Sequence, residues 1–290
     1  MLEMKQVSKK FGDFYAVEDV SLKLEQGVYG LLGANGAGKT TLMRMICTLL
    51  APTRGEIIYN GTPVCKEEEK YRSVLGYLPQ EFGYYPQFTA EEYLLYIAAL
   101  KGMKKNYARA KTRELLATVA LEKVRNRKIR TFSGGMKRRL GIAQAMLNDP
   151  EVLILDEPTA GLDPKERIRF RNLISEMAEN RIVLLSTHIV SDVENIAGNI
   201  LIMKDGKIRT SGTVEDLTRE IHGKVWKCLM TQEEAEKAEE RYIVCSRRAE
   251  QGGVMMRLIA EDAPAVNAKT TTPSLEDAYL YYFGEEGAQG

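Results

Sequence analysis

The sequence predicts an α/β protein built on a mixed, largely parallel sheet, with a helical insertion and a small α+β region at its C-terminal end. Three features predict this. Two runs, "VLIL" at 152–155 and "IVLL" at 182–185, are apolar at every position, the texture of strands buried on both faces as in parallel sheets. A glycine-rich stretch, "GANGAGKT" at 33–40, sits between a strand-like run and a helix-like run. From about Gln80 to Asn148 the pattern turns helical before the apolar strands return.

Taken in order, "MLEMKQVSKKF" reads as a charged, alternating strand, and "FYAVEDVSLKLE" at 14–25 alternates with apolar Val20, Leu22 and Leu24. "GVYGLLG" runs apolar into the glycine loop, and "KTTLMRMICTLL" follows at helical spacing. "GEIIYNG" predicts a strand ending in an Asn-Gly turn, and "VLGYLPQ" at 74–80 another short strand. Thr89 with Glu92 three positions on forms a capping box ahead of "YLLYIAAL", which Gly102 stops. "YARAKTRELLATVAL" is a second helix, and a third starts after Ser133. "NILIMKDGKIRTSG" is two runs joined by Asp205-Gly206, a hairpin signal. Beyond residue 222 come strand-like "KVWKCLM", a charged helix "EEAEKAEE", strands "RYIVCS" and "VMMRLIA", and Pro273-Ser274 capping "LEDAYLYYF". The expected organisation is therefore one domain over 1–222, its helical part about 81–150, and a second over 223–290.

Composition narrows the function. With 290 residues and 44% hydrophobic content the chain can bury a core, and a formal net charge of +1 supplies no overall field for a nucleic acid backbone or an anionic membrane. Cys47, Cys65, Cys228 and Cys245 lie far apart without metal-ligand spacing, which points to thiols in a reducing compartment. No basic region followed by an apolar one opens the sequence, and no apolar run approaches the roughly 20 residues of a membrane helix. The expectation is a cytoplasmic protein; if it works at a membrane, another chain does the spanning.

The chemistry concentrates at strand ends. In the loop, Gly33, Gly36 and Gly38 let backbone N–H groups close on phosphate oxygens, Lys39 reaches the β and γ phosphates, and Thr40 is placed to ligate Mg²⁺. "VLILDEP" ends a buried strand in Asp156, assigned to the Mg²⁺ shell, and Glu157, assigned to polarising the attacking water. His188 closes "RIVLLSTH" at the same rim, where it can hydrogen-bond the γ-phosphate; His222, in a polar stretch, carries no role. Gln80 has an amide able to sense Mg²⁺ or the water. Phe11 is either a platform for a base or an ordinary strand-end aromatic. The five aromatics of "EFGYYPQFTAEEY" either receive a helix from a membrane protein or pack the base of the helical insertion. Finally, "TFSGGMKRRLGIAQAM" at 131–146 is a second glycine-rich helix start, although one phosphate loop already exists.

These elements, in this order, resemble the ATP-binding subunits of ATP-binding-cassette transporters, and most the bacterial exporter ATPases that serve separate membrane subunits. The resemblance covers residues 1 to about 220. Phe11 is similar to the adenine-stacking aromatic; Gly33, Asn35, Gly36, Ala37, Gly38, Lys39, Thr40 and Thr41 to the phosphate loop; Gln80 to the Q-loop. "SGGMK", with Ser133, Gly134 and Gly135, is similar to the family signature, "LILDEP" to the strand of the metal ligand and base, "AGLD" to the D-loop, and His188 to the switch histidine. Met136 departs from the glutamine that usually follows the two glycines. The resemblance implies a P-loop NTPase cassette with an antiparallel β subdomain and a helical subdomain beside the core sheet. It also implies Mg²⁺-dependent ATP hydrolysis and separate transmembrane permease subunits on the cytoplasmic face of the membrane. It accounts for the second helix start as well: Ser133, Gly134 and Gly135 would serve the ATP of a second ATP-binding subunit, two domains sandwiching two ATP molecules in a C2 homodimer. Ser133 is alternatively an ordinary helix cap. A cassette protein that remodels nucleic acid or ribosomes is the competing class, and this chain lacks the second cassette, sustained heptads or basic face expected of one. The C-terminal region, ending "TPSLEDAYLYYF", resembles the accessory region of many exporter ATPases, either a regulatory or dimer-supporting module or simply stabilising.

Overall fold

The computed structural model describes residues 1–284. Contacts divide it into two units, Met1–Ile208 and the residues from Arg209 on. The division falls ahead of the boundary expected after residue 222. Residues 214–220 fold with the C-terminal region: the helix Val214–Thr218 packs on the last helix, Leu275–Gly284, and Tyr282 donates to Glu220 across 3.2 Å.

A six-stranded sheet runs in the order Lys207–Gly212, a strand that crosses the boundary between the units, and then Asn199–Lys204, Gly27–Leu32, Ile182–Thr187, Val152–Leu155, Leu75–Leu78 within the first unit. The pairings that join the last five strands are parallel. Val152–Leu155 and Ile182–Thr187 are buried at every position, as their unbroken apolar runs predict, because helices must cover both faces of such a sheet. A second, antiparallel sheet pairs Leu2–Phe11 with Phe14–Leu24 on one side and with Arg54–Tyr59 on the other. The Asn60-Gly61 turn has positive φ at both residues and returns Arg54–Tyr59 onto Thr62–Pro63, the hairpin its sequence announces. Both sheets share one core: Met4, Val17 and Val20 from the antiparallel sheet meet Leu31, Ile154 and Leu184 from the parallel one.

The helical insertion holds Ala90–Leu100, Lys105–Thr118 and Gly134–Ala145. Thr89 and Glu92 exchange both bonds of a capping box at the first. The third lies against Leu75–Leu78 at glycine-limited distance: a Cβ on Gly76 would stand 2.4 Å from the Ala145 carbonyl, and one on Gly141 2.6 Å from Leu78. One long helix went unanticipated, Pro164–Met177, although Asp163 caps it and Pro164 sits at its first position, both readable start signals. Its apolar residues Phe170, Leu173, Ile174 and Met177 are buried.

The second unit contains an antiparallel sheet in the order Ile243–Glu250, Gly253–Ile259, Val225–Met230, Lys269–Thr270. The helix Gln232–Arg241 covers one face, seating Ala235 and Ala238 against Cys228, Met256 and Leu258. Asp277, 1% exposed, takes both arms of Arg257 and the Ser274 N–H, which anchors the last helix.

Candidate active site

Four parallel strands end side by side, and each runs directly into a residue singled out by chemistry. Leu32 leads into the glycine loop, Leu78 into Pro79-Gln80, Leu155 into Asp156-Glu157 and Thr187 into His188. The register sets Leu32 beside Thr187 and Leu78 beside Leu155, so the four ends form one rim. In parallel sheets the ligand crevice lies outside this edge.

The loop is shaped by its surroundings. Gly38 has φ +102°, and a Cβ there would stand 2.2 Å from the Ala16 carbonyl; one on Gly33 would stand 2.5 Å from the Met203 carbonyl. Only glycine fits either position. Gly38 also opens the helix Lys39–Ile46 without a side-chain cap, so the first-turn N–H groups remain as donors for an anion. Asn35, Gly36, Gly38, Lys39, Thr40 and Thr41 line a cavity of about 360 Å³ together with Gln80 and Glu157. Gly33 and Ala37 shape the loop from behind: Gly33 packs on Met203, and the Ala37 carbonyl accepts the Gly206 N–H at 3.0 Å.

Lys39 is 6% exposed, and its ammonium donates to the Gly33 and Ala34 carbonyls at 2.7 and 3.1 Å. Burial pulls its pKa below the ordinary lysine value, and the nearby Glu157 pushes it back. Glu157 is itself 5% exposed, one carboxylate oxygen 3.6 Å from the Lys39 nitrogen and the other 3.1 Å from Nδ1 of His188. Its backbone has φ +47°, the left-handed region, which costs about 1 kcal/mol for a residue with a side chain. Both of its peptide groups are held: the N–H donates to the Ser186 hydroxyl at 2.9 Å, and the carbonyl accepts from the Arg138 guanidinium.

Asp156 is fully buried. One carboxylate oxygen accepts the hydroxyls of Ser186 at 2.7 Å and Thr40 at 3.2 Å, and the other has no hydrogen-bond partner. A buried carboxylate oxygen left unpaired beside two hydroxyls suits a hard divalent cation such as Mg²⁺, which takes oxygen ligands, so the residues present fit the ion.

The aromatic lining this cavity is Phe14, 67% exposed. Phe11, its cross-strand partner at the hairpin end, is 51% exposed, has the Lys9 ammonium over its ring and is not among the lining residues. Ser133 and Gly134 are also absent from the lining, and both are exposed. The Ser133 hydroxyl accepts the Met136 N–H at 3.2 Å as the cap of Gly134–Ala145. Of the aromatics after Gln80, Tyr93 is buried and packs edge-on against Phe82, whereas Tyr85 is 48% exposed, lies tilted against Phe88 and meets Tyr96 edge to face.

Sequence reasoning passed over Phe14, Ser186 and Arg138. Ser186 had a signal, a hydroxyl directly after four apolar residues of a buried strand. So had Arg138, a charge on the helix face it shares with Gly135, Ile142 and Ala145, all buried.

A sequence family described as ABC transporter matches residues 17–160. The chain is 38% identical over 221 residues to an ABC transporter ATP-binding protein, YxlF, of Bacillus subtilis, covering 76% of this chain and 73% of that one. It is 38% identical over 208 residues to Nod factor export ATP-binding protein I of Burkholderia lata, 71% and 68% of the two chains. Among solved structures, an ATP-binding subunit of an ABC transporter superposes with a TM-score of 0.68 at 32% identity, over 76% of this chain and 92% of that one. The dimeric cassette MJ0796 bound to ADP and Pi superposes at 0.66 and 28% identity, over 73% and 98%. With its phosphate loop, acidic strand end and histidine gathered on one rim, the chain belongs to the ABC transporter family, as an ATP-binding, ATP-hydrolysing subunit.

Proposed function

We propose that this subunit drives export through separate membrane-spanning subunits, working on the cytoplasmic face of the membrane as a homodimer that encloses two ATP molecules. Two features support the division of labour. No helix among the described residues is long and apolar enough to cross a membrane, and a similar protein is named for Nod factor export. The exposure of Ser133 and Gly134, away from their own chain's cavity, supports their service to a partner's γ-phosphate.

Within each site, the first-turn N–H groups and Lys39 take the β and γ phosphates. Thr40 and Asp156 hold Mg²⁺ with help from the Gln80 amide, and the ion neutralises phosphate charge when bound. Glu157 orients the attacking water and accepts its proton, while His188 steadies the carboxylate and reaches the γ-phosphate. Phe11 and Phe14, paired at the hairpin end, supply the surface for the base. The observation that carries this reading is the Glu157 carboxylate, buried, oriented by His188 and facing the loop that holds Lys39. Glu157→Gln should bind ATP with unchanged affinity, lose about 100-fold or more in turnover, and sediment as an ATP-dependent dimer. Turnover near that of the unaltered protein would remove Glu157 from this role.

A further inference from the structure

Arg138 is 9% exposed, yet its partners are carbonyls rather than carboxylates. Its Nε donates to Pro158 O at 3.0 Å, Nη1 to Gln80 O at 2.6 Å and Pro79 O at 3.3 Å, and Nη2 to Glu157 O. One planar cation thus binds the turns that follow two adjacent parallel strands, Leu75–Leu78 and Val152–Leu155. Burying a guanidinium is costly, and an apolar side chain would fill the space without that cost, so the arrangement is a poor device for stability alone. It is well suited to geometry, because the rigid fork fixes several acceptors at once.

What it fixes is specific. Glu157 is held at φ +47° between the Ser186 hydroxyl on its N–H and Arg138 on its carbonyl. Without Arg138 the Glu157 carbonyl keeps only the Ala160 N–H, at 3.2 Å and from the same turn, so the left-handed backbone is held less firmly and the carboxylate can swing off its line. The Gln80 carbonyl loses its donor too. Arg138 also lies in the helix capped by Ser133, and that helix is packed too closely on Leu75–Leu78 to slide freely.

We propose that Arg138 is a positioning residue for hydrolysis: it sets the backbone that carries Gln80 and Glu157 and fastens it to the helix that begins at the signature. This rests on the reading of Glu157 given above.

The test is steady-state ATPase activity and ATP affinity of the purified chain carrying Arg138→Gln or Arg138→Lys, with thermal unfolding of each. Misplacing a reacting group by about 1 Å costs on the order of 100-fold, so Arg138→Gln should lower kcat by about 10- to 100-fold. The KM for ATP and the ATP dissociation constant should stay within about threefold, since the phosphate loop is untouched. Arg138→Lys should recover part of kcat, because an ammonium can reach some of these carbonyls but not all of them. A folded Arg138→Gln with kcat within twofold of the unaltered protein overturns the proposal. So does a loss of ATP affinity that parallels kcat, or a failure of both variants to fold, either of which makes the residue structural. Glu157→Gln measured alongside separates the two readings: normal turnover there removes the site itself, whereas loss there with normal Arg138→Gln removes only the positioning role.

Discussion

The chain contains two glycine-rich helix starts, and they differ in what demands the glycines. At the phosphate loop the demand comes from within: the Ala16 and Met203 carbonyls occupy the space a Cβ would need at Gly38 and Gly33. At the signature a Cβ on Gly134 would meet nothing within 4 Å, and one on Gly135 would stand 2.8 Å from the Glu166 side chain, with no backbone among its nearest atoms. The first start is closed in a buried polar network of Lys39, Thr40, Asp156 and Glu157, while the second is capped by its own serine and turned outward. The chain's own packing explains glycine at 38 and does not explain it at 134. A requirement there must come from something that approaches from outside, which under the proposed function is a partner's nucleotide.

The sharpest way to break this comparison is to mix two inactive proteins. Lys39→Ala removes the cation on a protomer's own phosphates, and Ser133→Arg blocks what it offers to its partner. Each homodimer should fall to background, about 100-fold or more below the unaltered protein. A co-expressed heterodimer places both faults on one nucleotide and leaves the other site whole, so activity should return to half the unaltered rate or less. If each start serves its own chain, mixing restores neither hydrolysis nor ATP-dependent association.

Stability should separate the two starts next. Gly38→Ala sets a side chain at φ +102° against a carbonyl and should cost about 2–4 kcal/mol in thermal or denaturant unfolding. Gly134→Ala should leave unfolding within about 0.5 kcal/mol, because nothing is near. It should nevertheless reduce ATP-dependent dimerisation. Equal losses of stability would show that the signature glycine also serves its own chain.

The smallest effect on hydrolysis is expected from the buried pair of the C-terminal unit. Burial pushes the Asp277 carboxyl up, but Arg257, Ser274 and Cys245 outweigh it and hold its pKa below the usual carboxylate range. A carboxyl depressed in the folded state contributes stability above its unfolded pKa of about 3.9, and that contribution is lost as pH falls through the folded pKa. Asp277→Asn should therefore cost about 1–3 kcal/mol near neutral pH and flatten the acid limb of the stability profile, while ATPase activity of the isolated subunit is unchanged. Circular dichroism across pH 2–7 with parallel turnover measurements checks both parts.

How legible the site was depends on where each residue's partner lies. The phosphate loop could be read because its parts are consecutive and each spacing has a physical reason. Asp156, Glu157 and His188 could be read because apolar runs mark the strands they terminate. The capping box at Thr89 and the start at Ser133 are equally local, and the structure has both. Arg138 and Ser186 leave a weaker trace, a polar side chain in a buried segment, which does not name its partner. Arg138 binds carbonyls, which every residue possesses, and one of them belongs to Gln80, 58 residues away. Phe14 rather than Phe11 lines the cavity because the hairpin decides which ring faces the loop, and two aromatics three positions apart do not state that choice.

The sequence by itself determined the parallel sheet, the phosphate loop, the acidic strand end and both helix starts, since these follow from periodicity, apolar runs and the conformational range of glycine within short windows. Only the tertiary structure decided the strand order that gathers four ends on one rim, the unpaired oxygen of Asp156 and the guanidinium that clamps two turns. It also turned one helix start inward and the other toward solvent. Those outcomes depend on close packing between segments far apart in the chain, where a single carbonyl 2.2 Å from a would-be Cβ settles what a residue can be.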